Sequence, residues 1–227
     1  QFFDWAIGRG DIAMNPALGI PKAMKETPRE RILSLTEMRK IYSAACSLSP
    51  ANKLFIQMLL LTGQRAGVIA KLCRTEWLDD HLEIAGERNK SGERILVPLS
   101  AIAQKKLAEV NHTNGSFLVS TTNGLKPISG FSKLKKKIDL LSGVTGWRLH
   151  DIRRGLATHF EDNGVDRFYV ERLLNHKDNS VTGIYAKSNH LEMRRNIFEQ
   201  WSEILTSKDG SGSKNVIKFR GTTGWNA

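Results

Sequence analysis

The run Ala51–Leu61, ANKLFIQMLLL, constrains the fold more than any other stretch of the chain. It is strongly apolar and of helical length, so it should lie deep in a core. At its end comes Thr62-Gly63-Gln64-Arg65-Ala66-Gly67, a break followed by a short helix to about Leu72. An arginine at such a break, in so apolar a neighbourhood, must be paired or must face an anion.

Elements of ordinary length can be placed around that run. Phe2 to Gly8 reads as the last turns of a helix, closed by Gly8-Arg9-Gly10. Asn15-Pro16 through Pro28 is rich in proline and charge, which fits a linker. Ser34-Leu35-Thr36-Glu37 has the spacing of an N-cap with a glutamate reaching back, and it opens a helix to about Ser47. Trp77 to Pro98 is the β region, with strands at His81–Ala85 and Arg94–Val97 and a hairpin turn at Glu87–Glu93 near whose tip sits Lys90. Further helices are predicted over Leu99–Val110, Ile128–Leu141, Val165–Leu174 and Leu191–Leu205, with a short apolar piece at Ser116–Ser120. A Gly/Ser linker covers 208–214, and Asn215–Arg220 has strand-like alternation. The expected class is α+β, mainly α: a helical domain with a small antiparallel sheet. Residues 1–28 would be the end of a preceding domain and its linker, 29–207 the main domain, and 208–227 a tail with a strand at 215–220. The chain reads as the C-terminal part of a longer protein.

Lys and Arg outnumber Asp and Glu by 34 to 23, a net charge of +11. A balance this basic points to a polyanion, with nucleic acid the first candidate. Cys46 and Cys73 stand far apart without metal-type spacing; their settings suggest small core residues in a reducing cytoplasm. No run reaches the apolar length needed to span a bilayer, so no membrane partner is expected.

The stretch from Leu149 to Tyr185 gathers the chemistry. His150 and Arg153 stand three apart in a segment with helical apolar spacing (Leu149, Ile152, Leu156), so they project from neighbouring points of one helix face. A second amphipathic run ends in Asn175-His176, and Tyr185 follows nine residues after that histidine. Tyr42 fits the core side of its helix and Tyr169 lies within the helix before His176, which leaves Tyr185 as the tyrosine after the last of these groups. His81, His112, His159 and His190 lack supporting partners and are assigned no role.

Arg65, Lys90, His150, Arg153, His176 and Tyr185, in this order and context, resemble the tyrosine recombinases of the phage integrase family. The resemblance is carried by Thr62-Gly-Gln-Arg65 after an apolar helix, Lys90-Ser-Gly before a strand ending Val97-Pro-Leu-Ser100, His150-Asp-Ile-Arg153-Arg154, Leu174-Asn-His176 and Tyr185. It covers about Arg29 to Leu205. The Leu-Asn-His form, with Gly183-Ile-Tyr185 and Met193–Trp201, looks most like integrases of satellite phages, prophages and genomic islands, in which arm-binding and core-binding domains come first. Val68 departs from the acidic residue many members carry three positions after the first arginine, and Gly155 stands where Thr is common.

A phosphodiester is an anion that repels nucleophiles, and two arginines on its non-bridging oxygens stabilise the more charged transition state. Arg65 and Arg153 suit that pairing, because the guanidinium fork addresses two oxygens at once. Tyr185 would attack in line and expel a sugar hydroxyl. Lys90, on its hairpin, could hand the leaving oxygen a proton. The resemblance implies a 3′-phosphotyrosine, a free 5′-hydroxyl, Lys90 as general acid, His150 assisting proton transfer and His176 donating to the phosphate. It implies double-stranded DNA as partner, a tetramer on DNA with a monomer for the isolated domain, no metal and no cofactor. The location would be the cytoplasm of a bacterial or phage-infected cell. Arg154 is read as a phosphate contact or a structural pair. Lys133, Lys135, Lys136 and Lys137 form either a solvated face or a track along DNA backbone. A metal-independent, ribonuclease-like phosphodiesterase using His150, His176 and Lys90, and a DNA-binding module without catalysis, are the alternatives. An RNA-cleaving enzyme would need a 2′-hydroxyl and no Tyr185.

Overall fold

The structure, a computed structural model, describes residues 2–20, 31–88, 92, 94–111, 114–175 and 191–207. The chain divides into two compact units, Gln1–Glu30 and Arg31–Ala227. In the first, helix α1 (Phe2–Gly8) exposes Phe2, Trp5 and Ile7, with the Arg9 guanidinium 4.8 Å over the Trp5 ring.

The second unit is built around the apolar run. It forms α3 (Pro50–Thr62), started by a proline in its first turn, where the missing N–H costs nothing. Leu54 through Leu61 are all buried, and α3 packs against α2 (Leu35–Ala45), α4 (Ala66–Ala70), α5 (Ala101–Ala108), α7 (Leu149–Asp162) and α9 (Leu191–Thr206). Each fully buried Leu, Ile or Phe of this helix contributes about 1.5–3 kcal/mol through removal from water. The start of α2 is the expected capping box: Glu37 N donates to Ser34 Oγ at 3.2 Å and Ser34 N donates to Glu37 Oε2 at 2.9 Å.

The sheet is antiparallel, ordered β1 (Trp77–Leu78), β2 (His81–Ile84) and β3 (Ile95–Pro98), with His81 opposite Pro98 and Ile84 opposite Ile95. The sequence shows two strands here; the two-residue β1 is too short for period-two alternation to register. Gly86–Arg88 is a 3-10 turn, and Asn89, Lys90, Ser91 and Glu93 lie outside the described residues. Ser116–Ser120 meets the core as an isolated bridge, Phe117 opposite Cys73, rather than as a strand. Helix α6 (Phe131–Ser142) begins three residues later than its pattern suggested, because Gly130 takes a left-handed conformation before it. Helix α8 (Arg167–Leu173) is capped by the Asp166 carboxylate, which accepts from Phe168 N at 2.7 Å.

Helix α9 closes the unit. Trp201 Nε1 donates to the Leu60 carbonyl at 2.7 Å, Ser202 Oγ donates to Ser100 Oγ at 2.6 Å, and Glu199 accepts from Ala101 N at 2.8 Å at the start of α5. Arg194, buried, donates to the Leu96 carbonyl of β3 at 2.6 Å, and Arg195 pairs with Asp80. Among the described residues no helix is long and apolar enough to cross a membrane. The cysteines correct the sequence reading: Cys46 is exposed and Cys73 half-buried, both as free thiols. Cys46 caps the C-terminus of α2, one position past the last buried residue Ala45, and Cys73 lies in the loop leading to the sheet.

Candidate functional site

Helix α3 stops because Gly63 enters the left-handed region (φ 61°), which a side chain disfavours. A Cβ there would stand 2.8 Å from Leu174 Cδ2 and 3.0 Å from Leu156 Cδ2, so glycine is required for space as well as for torsion. The turn delivers Arg65, half-buried, to the N-cap position of α4. Arg65 makes no side-chain capping bond, and among the described residues no acceptor pairs with its guanidinium. Val68, at the position where the resemblance leads one to look for an acid, is buried in the hydrophobic core.

Helix α7 brings its own cations to the same place. Asp151, buried, fixes its first turn by accepting from Arg148 N at 2.8 Å, and the Arg154 guanidinium lies 3.9 Å from the same carboxylate. Arg153 is 4% exposed; its guanidinium donates to the Gly63 carbonyl at 3.0 Å and to the Leu174 carbonyl. Burial first, and then the Arg65 cation, hold Arg153 down at about 10. His150 is exposed on the neighbouring face of α7. Partial desolvation and then the Arg153 charge lower its pKa; Asp151 pulls the other way, and Arg154 and Arg65 add smaller lowering effects.

Arg65 and Arg153 are close enough to act on each other electrostatically, and both act on His150. Among the described residues no carboxylate acts on Arg153. Like charges so arranged in a partly dehydrated site repel unless an anion sits between them, and the N-terminus of α7 adds its partial positive charge. Charge-assisted hydrogen bonds from such guanidinium groups suit an oxyanion. Lys90, His176 and Tyr185 lie outside the described residues.

Gln64 and Asn175 were quoted in the sequence motifs without a role. Gln64 is 3% exposed and donates through Nε2 to the carbonyls of Thr62 (3.1 Å) and Leu173 (2.9 Å), while its Oε1 accepts from Asn175 Nδ2 at 2.9 Å. Asn175 has φ +52°, a conformation that asparagine tolerates better than most residues. A buried glutamine inside a helix break was the available signal.

On α6, Lys133, Lys136 and Lys137 are exposed. Lys135 is engaged within the fold: its Nζ reaches Asp139 Oδ2 at 2.6 Å and lies 4.2 Å over the Trp147 ring. Among the described residues no group of His, Cys, Asp or Glu could hold a metal ion.

The domain is mainly helical with a small antiparallel sheet, and it sets Arg65 just past the end of α3 and His150 and Arg153 on α7. The chain belongs to the phage integrase family, which residues 31–192 match. It is 28% identical over 202 residues to the integrase of Escherichia phage HK022, covering 82% of this chain and 55% of that protein. It is 26% identical over 221 residues to the tyrosine recombinase XerD of Listeria innocua, covering 88% of this chain and 72% of that one. The chain thus spans little more than half of its phage relative. Among solved structures, a lambda integrase (75–356) dimer bound to a COC′ core site superposes with a TM-score of 0.57 at 25% identity, over 78% of this chain and 68% of that one. A lambda integrase tetramer bound to a Holliday junction gives 0.58 at 23% identity, over 79% and 56%. The integrase from mycobacterium phage Brujita gives 0.59 at 18% identity, over 95% and 72%, a likeness of fold.

Proposed function

We propose that this chain is the catalytic part of a site-specific DNA recombinase that integrates or excises a mobile element through a covalent 3′-phosphotyrosine intermediate. The observation that carries the reading is Arg153, buried and bonded to the Gly63 and Leu174 carbonyls, lying within electrostatic reach of Arg65 and His150, with no carboxylate among the described residues acting on it. Family membership supports it.

In this reading Arg65 and Arg153 hold the non-bridging oxygens of the scissile phosphate, and His176 donates to the same group. The Tyr185 oxygen forms a bond to phosphorus as the bond from phosphorus to the 5′-oxygen breaks. The tyrosine proton leaves with the help of His150, whose pKa its surroundings lower. Lys90 gives the departing 5′-oxygen its proton. Bond energy is conserved in the phosphotyrosine, so a 5′-hydroxyl of a partner strand reverses the step without ATP. Arg154 and the exposed Lys133, Lys136 and Lys137 add backbone contacts, whose strength falls with salt.

Double-stranded DNA is the partner, and the working assembly is a tetramer on DNA, as the lambda integrase tetramer on a Holliday junction suggests by analogy. The compartment is the cytoplasm of a bacterial or phage-infected cell. Residues 208–227, which lie outside the described residues, would serve assembly in this reading.

The test is a nicked suicide-duplex library with a randomised centre, from which covalent protein–DNA adducts are recovered and sequenced. The chain should trap a subset of all-DNA duplexes at one tyrosine, and Tyr185→Phe should trap none. Adducts formed by Tyr185→Phe, or cleavage confined to substrates with a 2′-hydroxyl, would overturn the proposal.

A further inference from the structure

We propose that Gln64 and Asn175 work as one positioning pair, fixing the direction in which Arg65 meets the anion site by locking the loop at 63–65 to the loop at 173–175. The inference rests on reading that site as a phosphodiester site.

Each member of the pair precedes a site residue in the chain: Gln64 comes before Arg65, and Asn175 comes before His176. They lie 111 residues apart in sequence, yet the Asn175 amide donates to Gln64 Oε1 at 2.9 Å. The glutamine amide is held in one orientation. Turning it over would set its oxygen against the Thr62 and Leu173 carbonyls and its nitrogen against the Asn175 donor, breaking every bond it makes. In a buried setting such unpaired groups are costly, so the rotamer is specified rather than preferred.

The same two loops are stitched a second time. Arg153 donates to the Gly63 carbonyl and to the Leu174 carbonyl, so residues 63–64 on one loop and 173–175 on the other interlock. Arg153 has a further task at the anion, whereas neither amide does. Gln64 faces carbonyls and Asn175, which makes both residues positioning rather than catalytic groups. The left-handed torsion at Asn175 adds to this, since it sets the course of the chain at the point where the histidine follows.

Two single variants and their combination test the pair in the full chain. Asn175→Gly keeps the left-handed backbone and removes the amide; Gln64→Met keeps length and removes every polar contact. With a duplex recovered from the random library, each should slow adduct formation about tenfold to a hundredfold, the scale of a small misplacement of reacting groups. Half-saturating DNA concentration, measured in the Tyr185→Phe background, should change by less than about threefold. The double variant should be no slower than the slower single one, because groups that act as a unit are not additive. Independently of cleavage, sulfate binding followed through the Arg65 Nε–H NMR signal should weaken about tenfold in both variants. If Gln64→Met does not fold, Asn175→Gly carries the same comparisons alone. Wild-type rate and wild-type sulfate affinity in either folded variant, or losses that multiply in the double variant, would overturn the pair. The two proposals fail differently. Adducts that persist in Tyr185→Phe, or no adducts at all from the wild type, sink the recombinase reading and leave the sulfate comparison to judge the pair. Abolition by Tyr185→Phe with unchanged rates and sulfate affinity in the amide variants sinks the pair alone.

Discussion

Arg153 donates to the Gly63 carbonyl oxygen at 3.0 Å, binding the middle of α7 to the residue that ends α3. A second N–H of the same guanidinium goes to the Leu174 carbonyl at the end of α8. One cation thus satisfies two helix-terminal acceptors that would otherwise lie buried and unpaired.

Arg153→Lys should accordingly fail in two respects. An ammonium is a compact donor on a flexible stem and cannot reproduce the planar fork. At least one buried carbonyl would be left without a partner, a loss of about 1–3 kcal/mol. Urea unfolding monitored by circular dichroism measures that loss, and the suicide duplex should yield no adduct above background.

Gly63→Ala tests the turn itself. The left-handed torsion and the 2.8 Å approach of Leu174 Cδ2 act against any side chain, so the variant should lose about 1–3 kcal/mol. Gly67, in α4, has nothing within 4 Å of an added Cβ. Gly67→Ala should be neutral or gain up to about 1 kcal/mol by restricting the unfolded chain. The difference between the two in denaturant midpoint is the measurement.

His150 gives a pH-dependent outcome. Its folded pKa lies below the ordinary 6.5, so the folded state takes up fewer protons than the unfolded one on acidification. The stability it contributes is complete above 6.5, declines as pH falls from that value, and is gone below the folded pKa. His150→Gln should flatten this part of the stability–pH curve. Adding sulfate should move the His150 pKa upward, because an anion between the arginines offsets the charges that depress it. Histidine C–H resonances followed through a pH titration, with and without sulfate, check both the direction and the reversal.

The elements that carry Arg65, His150 and Arg153 could be read from the sequence, for reasons particular to each residue. The apolar run announced α3, and the capping spacing Ser34–Glu37 announced α2, because both are local patterns with a helical period. Arg65 stood out as a cation in an apolar setting, and His150 and Arg153 shared a helix face. The Gln64–Asn175 bond was not legible, because no local period records which loop will lie opposite another. Lys135 looked like its neighbours until folding placed Asp139 and Trp147 beside it. Gly155 appeared a neutral departure, yet a Cβ there would stand 3.0 Å from the Leu33 carbonyl oxygen and 3.4 Å from Met38 Sδ, a constraint visible only once α7 is docked.

The last turn of α3 also serves as a shared datum. Leu60 accepts from Trp201 of α9, while Gly63 and Gln64 hold Arg153, Leu173 and Asn175. The anchors on either flank of residues 176–190 therefore refer to the same five-residue stretch, 60–64. The second flank is tied elsewhere as well, through Arg194 to Leu96 and through Ser202 and Glu199 to Ser100 and Ala101. What the two flanks share is this stretch, so a change within it reaches both at once.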